Sequence, residues 1–377
     1  MSGDLPLSGV KVLDFSTLLP GPMASLLLAE AGADVVKIER PEGEEMRRAL
    51  PKFGADALAF ALLNRGKKSI AIDLKQPDAI STLTPLLKDA DVLLEQFRPG
   101  VMERLGLGYR QVKALNPGVV YCSITGYGQT GPKAAVAGHD LNYAAEAGLL
   151  SLTTGSDGAP TLPNTLLGDL GGGALPAVVN ILMGLLYRRR HGAGLHVDVA
   201  MAENLLMFPY SAIGEGFSDG RWPIPGRERL TGGSPRYQIY KTADERYVAA
   251  APLEQRFWLT FCDAIGLSPQ WHDDERDPAG CIAEVARIIG GKPSSHWRGV
   301  FAGRDVCAVI SATLEEATAD NHVKARGIFA HYVKSDGLEI PATHVPLDPQ
   351  FRKPAEAAGY PLLGEHDHLL RLTDRNS

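Results

Sequence analysis

The chain has 377 residues, a formal net charge of −6, 22% charged and 45% apolar residues, ordinary globular values that exclude disordered and fibrous classes. A net negative chain lacks the basic balance of a nucleic-acid binder, and four cysteines without a CxxC pair (Cys122, Cys262, Cys281 and Cys307) indicate neither a metal site nor a disulfide framework. The length predicts two or three domains, and 41 glycines with 26 prolines predict many loops and close backbone approaches.

In chain order, the start MSGDLPLSGVKVLDF lacks the basic and apolar regions of a signal peptide. Residues 10–40 read strand, turn, helix, strand: VKVLDF is β-prone, Pro20-Gly21-Pro22 breaks the chain where a helix can start, MASLLLAEAG is helical with Gly32 at its end, and ADVVKIE is a buried strand. Such a βαβ unit predicts a parallel sheet. Further strands are expected at 69–74, 91–95 and 119–124, with a helix over 77–90, so the first third is α/β. Residues 168–190 read as one long apolar helix closed by Arg188, Arg189 and Arg190, which suit a helix C-terminus and read as a solvated end. Its most apolar stretch, 174–187, is too short for a bilayer and interrupted by Pro176 and Asn180, so it is expected to be a core helix. With free thiols, the expectation is a soluble, cytoplasmic protein with no membrane partner.

The Gly-, Pro- and charge-rich stretch 214–236 is expected to be a linker between a large domain (1–213) and a small one (237–325). In the small domain a strand pair flanks the turn ADER, and helices are expected at 255–265, 280–290 and 313–320. The remainder (326–377) is proline-rich, with a short helix near GEHDHLLRL.

Glu39 stands where a dinucleotide fold binds a ribose, but the preceding turn LLPGPMAS has one glycine instead of GxGxxG. Arg40, Arg65, Lys67, Lys68, Lys75, Arg98 and Arg104 cluster near strand ends, where they either face solvent or suit a polyphosphate. The segment Gly138-His139-Asp140-Leu141-Asn142-Tyr143 offers a histidine for general acid–base work after a turn-permitting glycine. Asp169 stands beside Gly171, Gly172 and Gly173 at a helix start. Capping by Asp169 is expected, but three glycines weaken a helix, so the loss of every Cβ suggests that something approaches the backbone there. Glu254 lies between a strand and a helix, placed to cap or to reach a site.

These segments resemble the class III CoA-transferase and α-methylacyl-CoA racemase superfamily (CaiB/BaiF type) over nearly the whole chain. The likeness rests on LPGPMASLLLAEAGADVVKIERP, RGKKSIAIDLK, DVLLEQFRPGVMERLGLGY, GYGQTGP, GHDLNY, GDLGGG, LTGGSPRYQIY and HWRGVFAGRDVCAVI, in the family order. The resemblance implies a doubly wound, Rossmann-like large domain, a smaller α+β domain, an interlocked-ring homodimer, and an acyl-CoA substrate without a separate cofactor or a metal. It implies that Arg40, Arg65, Ile72, Asp73, Leu74, Lys75, Gln96, Phe97, Arg98 and Arg104 line the coenzyme A site, with Gly138, Asn142 and Tyr143 beside it. GHDLNY with His139, and LEQRF with Glu254, resemble the racemase branch. The implied reaction moves the α-proton between His139 and Asp169, with Glu254 and Asp140 in support and the glycine triplet letting the thioester lie against backbone N–H groups. The alternative is CoA transfer with Asp169 as nucleophile.

Overall fold

The computed structural model describes residues 5–155 and 157–370. The first unit comprises residues up to 147, Pro163–Phe208 and the chain from His322 onward. Its strands β1 (Lys11–Asp14) and β2 (Asp34–Glu39) flank helix α1 (Pro20–Glu30). A small hairpin, β3 (Lys52–Phe53) and β4 (Asp56–Ala57), leads into α2 (Leu58–Asn64). Then follow β5 (Lys68–Ala71), α3 (Ala79–Asp89), β6 (Val92–Glu95), α4 (Val101–Arg104), α5 (Tyr109–Leu115), β7 (Val120–Thr125), α6 (Asp140–Glu146), α7 (Leu175–His191), β8 (His196–Ala200) and α8 (Met201–Leu205).

Six strands form one parallel sheet in the order β5-β2-β1-β6-β7-β8. Counted along the sheet, that is the 3-2-1-4-5-6 order of a doubly wound fold, whose ligand crevice opens between the first and fourth strands at their carboxyl ends. The strands are nearly continuous apolar runs, as burial on both faces demands. Val12, Leu13, Val92, Leu93, Leu94 and Val120 are all buried. Leu83, Leu87 and Val112 of α3 and α5 pack with Leu13, Leu93 and Tyr121 in one core, while α1 and α7 pack together.

The long apolar helix runs where the sequence places it. A π-helical turn, Gly168–Ala174, precedes α7 and extends the helical run to Gly168–His191. At 24 residues it is, by length and composition, the one helix among the described residues long and apolar enough to cross a membrane, a test that the core helix of a soluble protein also passes. Ala177, Val178, Ile181 and Gly184 are buried, and Leu175, Val179, Met183 and Leu186 are exposed. Its basic end is not wholly solvated: Arg188 pairs with Asp91 at 2.7 Å.

The second unit comprises Gly148–Leu162 and Pro209–Asn321. Helix α9 (Tyr210–Asp219) occupies the start of the stretch expected to be a linker, so 214–236 belongs to this unit. An antiparallel sheet of β9 (Gln238–Lys241), β10 (Tyr247–Ala250) and β11 (Ala308–Ile310) packs on α10 (Gln255–Ile265), α11 (Pro278–Gly290) and α12 (Ser294–Phe301). Trp258, Phe261, Val285, Ile289 and Trp297 fill the core between them. Helices α13 (Leu314–Ala319) and α14 (Asn321–Ala325) follow.

In the returning segment, β12 (His331–Ser335), β13 (Leu338–Ala342) and β14 (Ala357–Gly359) form a third sheet. Beyond it the chain covers the exposed edge of β5. Asp367 accepts the Ala71 N–H at 2.8 Å and the His366 N–H binds the Ser69 carbonyl at 2.9 Å, which satisfies an edge that would otherwise invite pairing. The expected terminal helix is a 3₁₀ turn over Asp367–Leu370.

Candidate functional site

At the carboxyl ends of β1 and β6, where the strand order reverses, two cavities of about 470 and 410 Å³ open beside each other and share Thr17, Leu18 and Phe97. Leu18 holds a left-handed backbone, φ 61°, which a branched side chain rarely adopts. Its N–H donates to Glu44 Oε2 at 3.2 Å. The start of α1 gives no purchase to a pyrophosphate. Pro20 and Pro22 have no N–H, and the Gly21 N–H is taken by Gln96 Oε1 at 2.9 Å. A Cβ at Gly21 would fall 2.1 Å from that of Ser16, so the turn requires glycine. Glu39 is equally committed: its oxygens bind Arg47 at 2.7 and 2.6 Å and Ser69 Oγ at 2.7 Å. Those partners outweigh burial and hold its carboxyl below the usual range.

Most of the residues singled out in sequence meet in these cavities. Gln96, Phe97, Arg98, Gly138, His139, Asn142, Tyr143 and Asp169 line the larger one. Arg40, Ile72, Asp73, Leu74 and Lys75 line the other, again with Phe97. Arg65 does not join them. It is 4% exposed, its guanidinium binding Glu30 at 3.1 Å and the carbonyls of Leu62 and Thr343. A buried cation held by these partners serves the fold, and Arg65 lies outside both cavities, away from its expected place at the coenzyme A site. Lys67 and Lys68 are also engaged, with Ser25 and Asn64 and with Asp34 respectively. Arg104 is exposed and lines neither cavity. Glu254 belongs to the second unit, exposed at the N-cap of α10 without capping it through its side chain.

His139 stands at the N-cap of α6, exposed, with its N–H bound by Asn142 Oδ1 at 3.0 Å. The turn before it is pinned by Tyr143, whose hydroxyl donates to the Gly138 carbonyl at 2.5 Å. Asp140, buried just behind His139, accepts the Asp169 N–H at 2.9 Å. This bond ties the two candidate acid–base loops together. Burial and the like charge of Asp140 push the Asp169 carboxyl up to about 6, against a smaller opposite pull from His139. The expected cap is absent: Asp169 lies inside the first turn, and Leu167 occupies the N-cap.

The glycines serve the protein's own packing rather than a thioester. A Cβ at Gly172 would lie 2.5 Å from the Met201 carbonyl oxygen, and one at Gly173 would lie 3.0 Å from Pro20 Cβ. The π turn thus nests against α8 and α1, and Asn204 Nδ2 satisfies the Gly172 carbonyl at 2.7 Å. The amides of Asp169 and Leu170 at this helix start are bound by Asp140 and by the Leu166 carbonyl. Thr17, Leu18 and Glu44, unremarked in the sequence, also line the cleft, and so does Met201. No local pattern marks the first two, because strand order brings them there.

The family model for CoA-transferase family III matches residues 7–367. The human α-methylacyl-CoA racemase is 33% identical over 369 residues, which cover 96% of this chain and 91% of that protein. The succinate–glutarate CoA-transferase of Agrobacterium fabrum is 33% identical over 387 residues, covering 96% and 94%. Among solved structures, a CaiB/BaiF family protein from Brucella suis superposes with a TM-score of 0.84 at 27% identity, covering 98% of this chain and 99% of that one.

Proposed function

The chain belongs to CoA-transferase family III, and from that premise we propose that it is a racemase of 2-methylacyl-CoA thioesters. The observation that carries this reading is the pairing of His139 with Asp169 on one cavity, the carboxyl raised to about 6. Racemisation needs two groups of matched acidity that exchange roles, and a carboxyl raised toward the imidazole range meets that need. In one direction the Asp169 carboxylate takes the α-proton, leaving an enolate, and protonated His139 returns a proton to the opposite face. In the other direction the roles reverse, and the enzyme ends each turnover carrying the same number of protons. Arg40 and Lys75 would meet the phosphates of coenzyme A. The coenzyme is part of the substrate, and no separate cofactor or metal enters the reaction. The working unit in this reading is a cytoplasmic interlocked homodimer, in which Glu254 of one chain serves the His139 site of the other.

The test is inversion and α-proton exchange of a 2-methylacyl-CoA in heavy water. Inversion of an enantiopure 2-methylacyl-CoA abolished by His139→Ala and by Asp169→Asn is expected, each variant keeping at most exchange with retention of one enantiomer through the base that remains; an unaffected inversion rate in either variant would remove that residue from the mechanism.

A second reading, class III CoA transfer, has the same Asp169 in its favour, together with relatives that are CoA-transferases. There the carboxylate attacks the thioester carbonyl and expels coenzyme A as thiolate. The thiolate then attacks the aspartyl carbonyl of the mixed anhydride, releasing the acyl group as its carboxylate and leaving an aspartyl-CoA thioester. Hydroxylamine trapping of Asp169 in the presence of acyl-CoA, without α-proton exchange, would establish this reading in place of the first.

A further inference from the structure

Behind the cleft, side chains of three adjacent strands line up. Glu95 closes β6, Ser123 lies beside it in register on β7, and His196 opens β8. Glu95 is 4% exposed, and its Oε2 accepts the Phe97 N–H at 2.7 Å. Ser123 Oγ stands 2.9 Å from His196 Nε2. His196 is held in plane by Tyr109, stacked at 5.0 Å, and by the edge of Tyr121 at 5.2 Å.

The front end of this row is the 96–98 loop. Phe97 lines both cavities, Gln96 fixes the α1 turn through Gly21, and Arg98 lines the cavity of His139 and Asp169. We propose that Glu95 is a positioning residue, whose ionised carboxylate fixes the 96–98 loop through the Phe97 N–H and so sets the affinity for the coenzyme A thioester. The affinity clause rests on the proposed function; the ordering of the loop does not. A bond to a carboxylate is about twice as strong as one to a neutral acceptor, so ionisation is the variable that matters. Burial, with the like charges of Glu103 on α4 and Asp198 on β8, pushes the Glu95 carboxyl up to about 7, against the opposite effect of Ser123 and the Phe97 N–H. Tyr121, Cys122 and His196 are the remaining titratable groups beside it. Tyr121 and Cys122 are raised far above neutrality and stay uncharged through this range, and burial lowers His196. The loop is therefore held above about pH 7 and released below it.

The experiment compares wild type with Glu95→Gln, which keeps the side-chain shape and an acceptor oxygen but no charge. Hydrogen exchange of the 96–98 segment, corrected for intrinsic rates, and calorimetric binding of coenzyme A are both read at pH 8.5 and pH 6. Expected is a wild-type advantage of about tenfold in protection and in affinity at pH 8.5 that shrinks toward unity at pH 6. Any titration of the ligand's own phosphates cancels in that ratio. Ser123→Ala should move the collapse of the ratio to higher pH, since the hydroxyl favours the ionised form. A ratio that is the same at both pH values, or a loop protected equally in both proteins, overturns the positioning role of Glu95. A pH-dependent protection ratio without coenzyme A binding upholds the loop ordering and overturns the affinity clause together with the proposed function.

Discussion

Asp169 is held near neutrality by its neighbours, and the linkage is open to measurement. Its carboxyl binds a proton more tightly in the folded chain, at about 6, than in the unfolded one, at about 4. The stability it contributes is thus present in full below about pH 4 and is lost as pH rises through 6. Asp169→Asn, which keeps the N–H that Asp140 accepts, should match wild type near pH 4. It should exceed wild type above pH 6 by about 1–2 kcal/mol in urea unfolding, while losing racemisation. Asp140 supplies part of the shift through its like charge. Asp140→Asn should therefore lower the Asp169 carboxyl, and the acid limb of kcat/KM should move below pH 6. A limb that stays in place would assign the shift to burial alone.

At the scale of elements, the π turn and α8 form a packed joint beneath the cavity of His139 and Asp169, and two glycines in it predict opposite behaviour. Alanine in a helix gains about 0.5–1 kcal/mol over glycine. At Gly172 that gain is outweighed, because the new methyl would lie 2.5 Å from backbone, the Met201 carbonyl. Gly172→Ala should cost about 1–3 kcal/mol net, read as a fall in the unfolding midpoint. At Gly171 the neighbours are side chains, Leu167 Cδ1 and Phe208 Cζ, both at 3.0 Å. They can rotate aside, so Gly171→Ala should stay within about 0.5 kcal/mol of wild type. The glycine triplet was conspicuous in sequence, but its purpose was not. Periodicity shows that Cβ atoms are missing and says nothing of whether a ligand or Met201 fills the space.

For the whole molecule, the proposed dimer makes a prediction that a monomer with a self-contained site does not. If Glu254 serves the His139 site of the partner chain, co-expressed His139→Ala and Glu254→Ala chains should regain activity. One of the two sites in a mixed dimer then holds both native residues. Each variant alone should remain impaired, and the mixed dimer should show about half the wild-type kcat per dimer. No recovery would place Glu254 with the His139 of its own chain or outside the reaction.

The sequence alone determined the opening βαβ unit, because alternation of strand and helix patterns needs only local periodicity. It also determined the family, and it singled out His139, Asp169 and the 72–75 and 96–98 segments, since these stand in long contiguous motifs. The strand order was decided by tertiary structure. That order brings Thr17 and Leu18 beside Phe97 from 79 residues away and opens the cleft where the winding reverses. Which charges are free was decided there too. Arg40, Arg65 and Lys67 read alike along the chain, yet Arg40 lines the cleft and stays exposed, with its Nε given to the Gly43 carbonyl and a 3.6 Å pairing to Glu45, while Arg65 is buried on Glu30 and Lys67 on Ser25 and Asn64. A charge is available to a ligand only if folding leaves some of its hydrogen bonds unmade, and that depends on burial by parts of the chain far off in sequence.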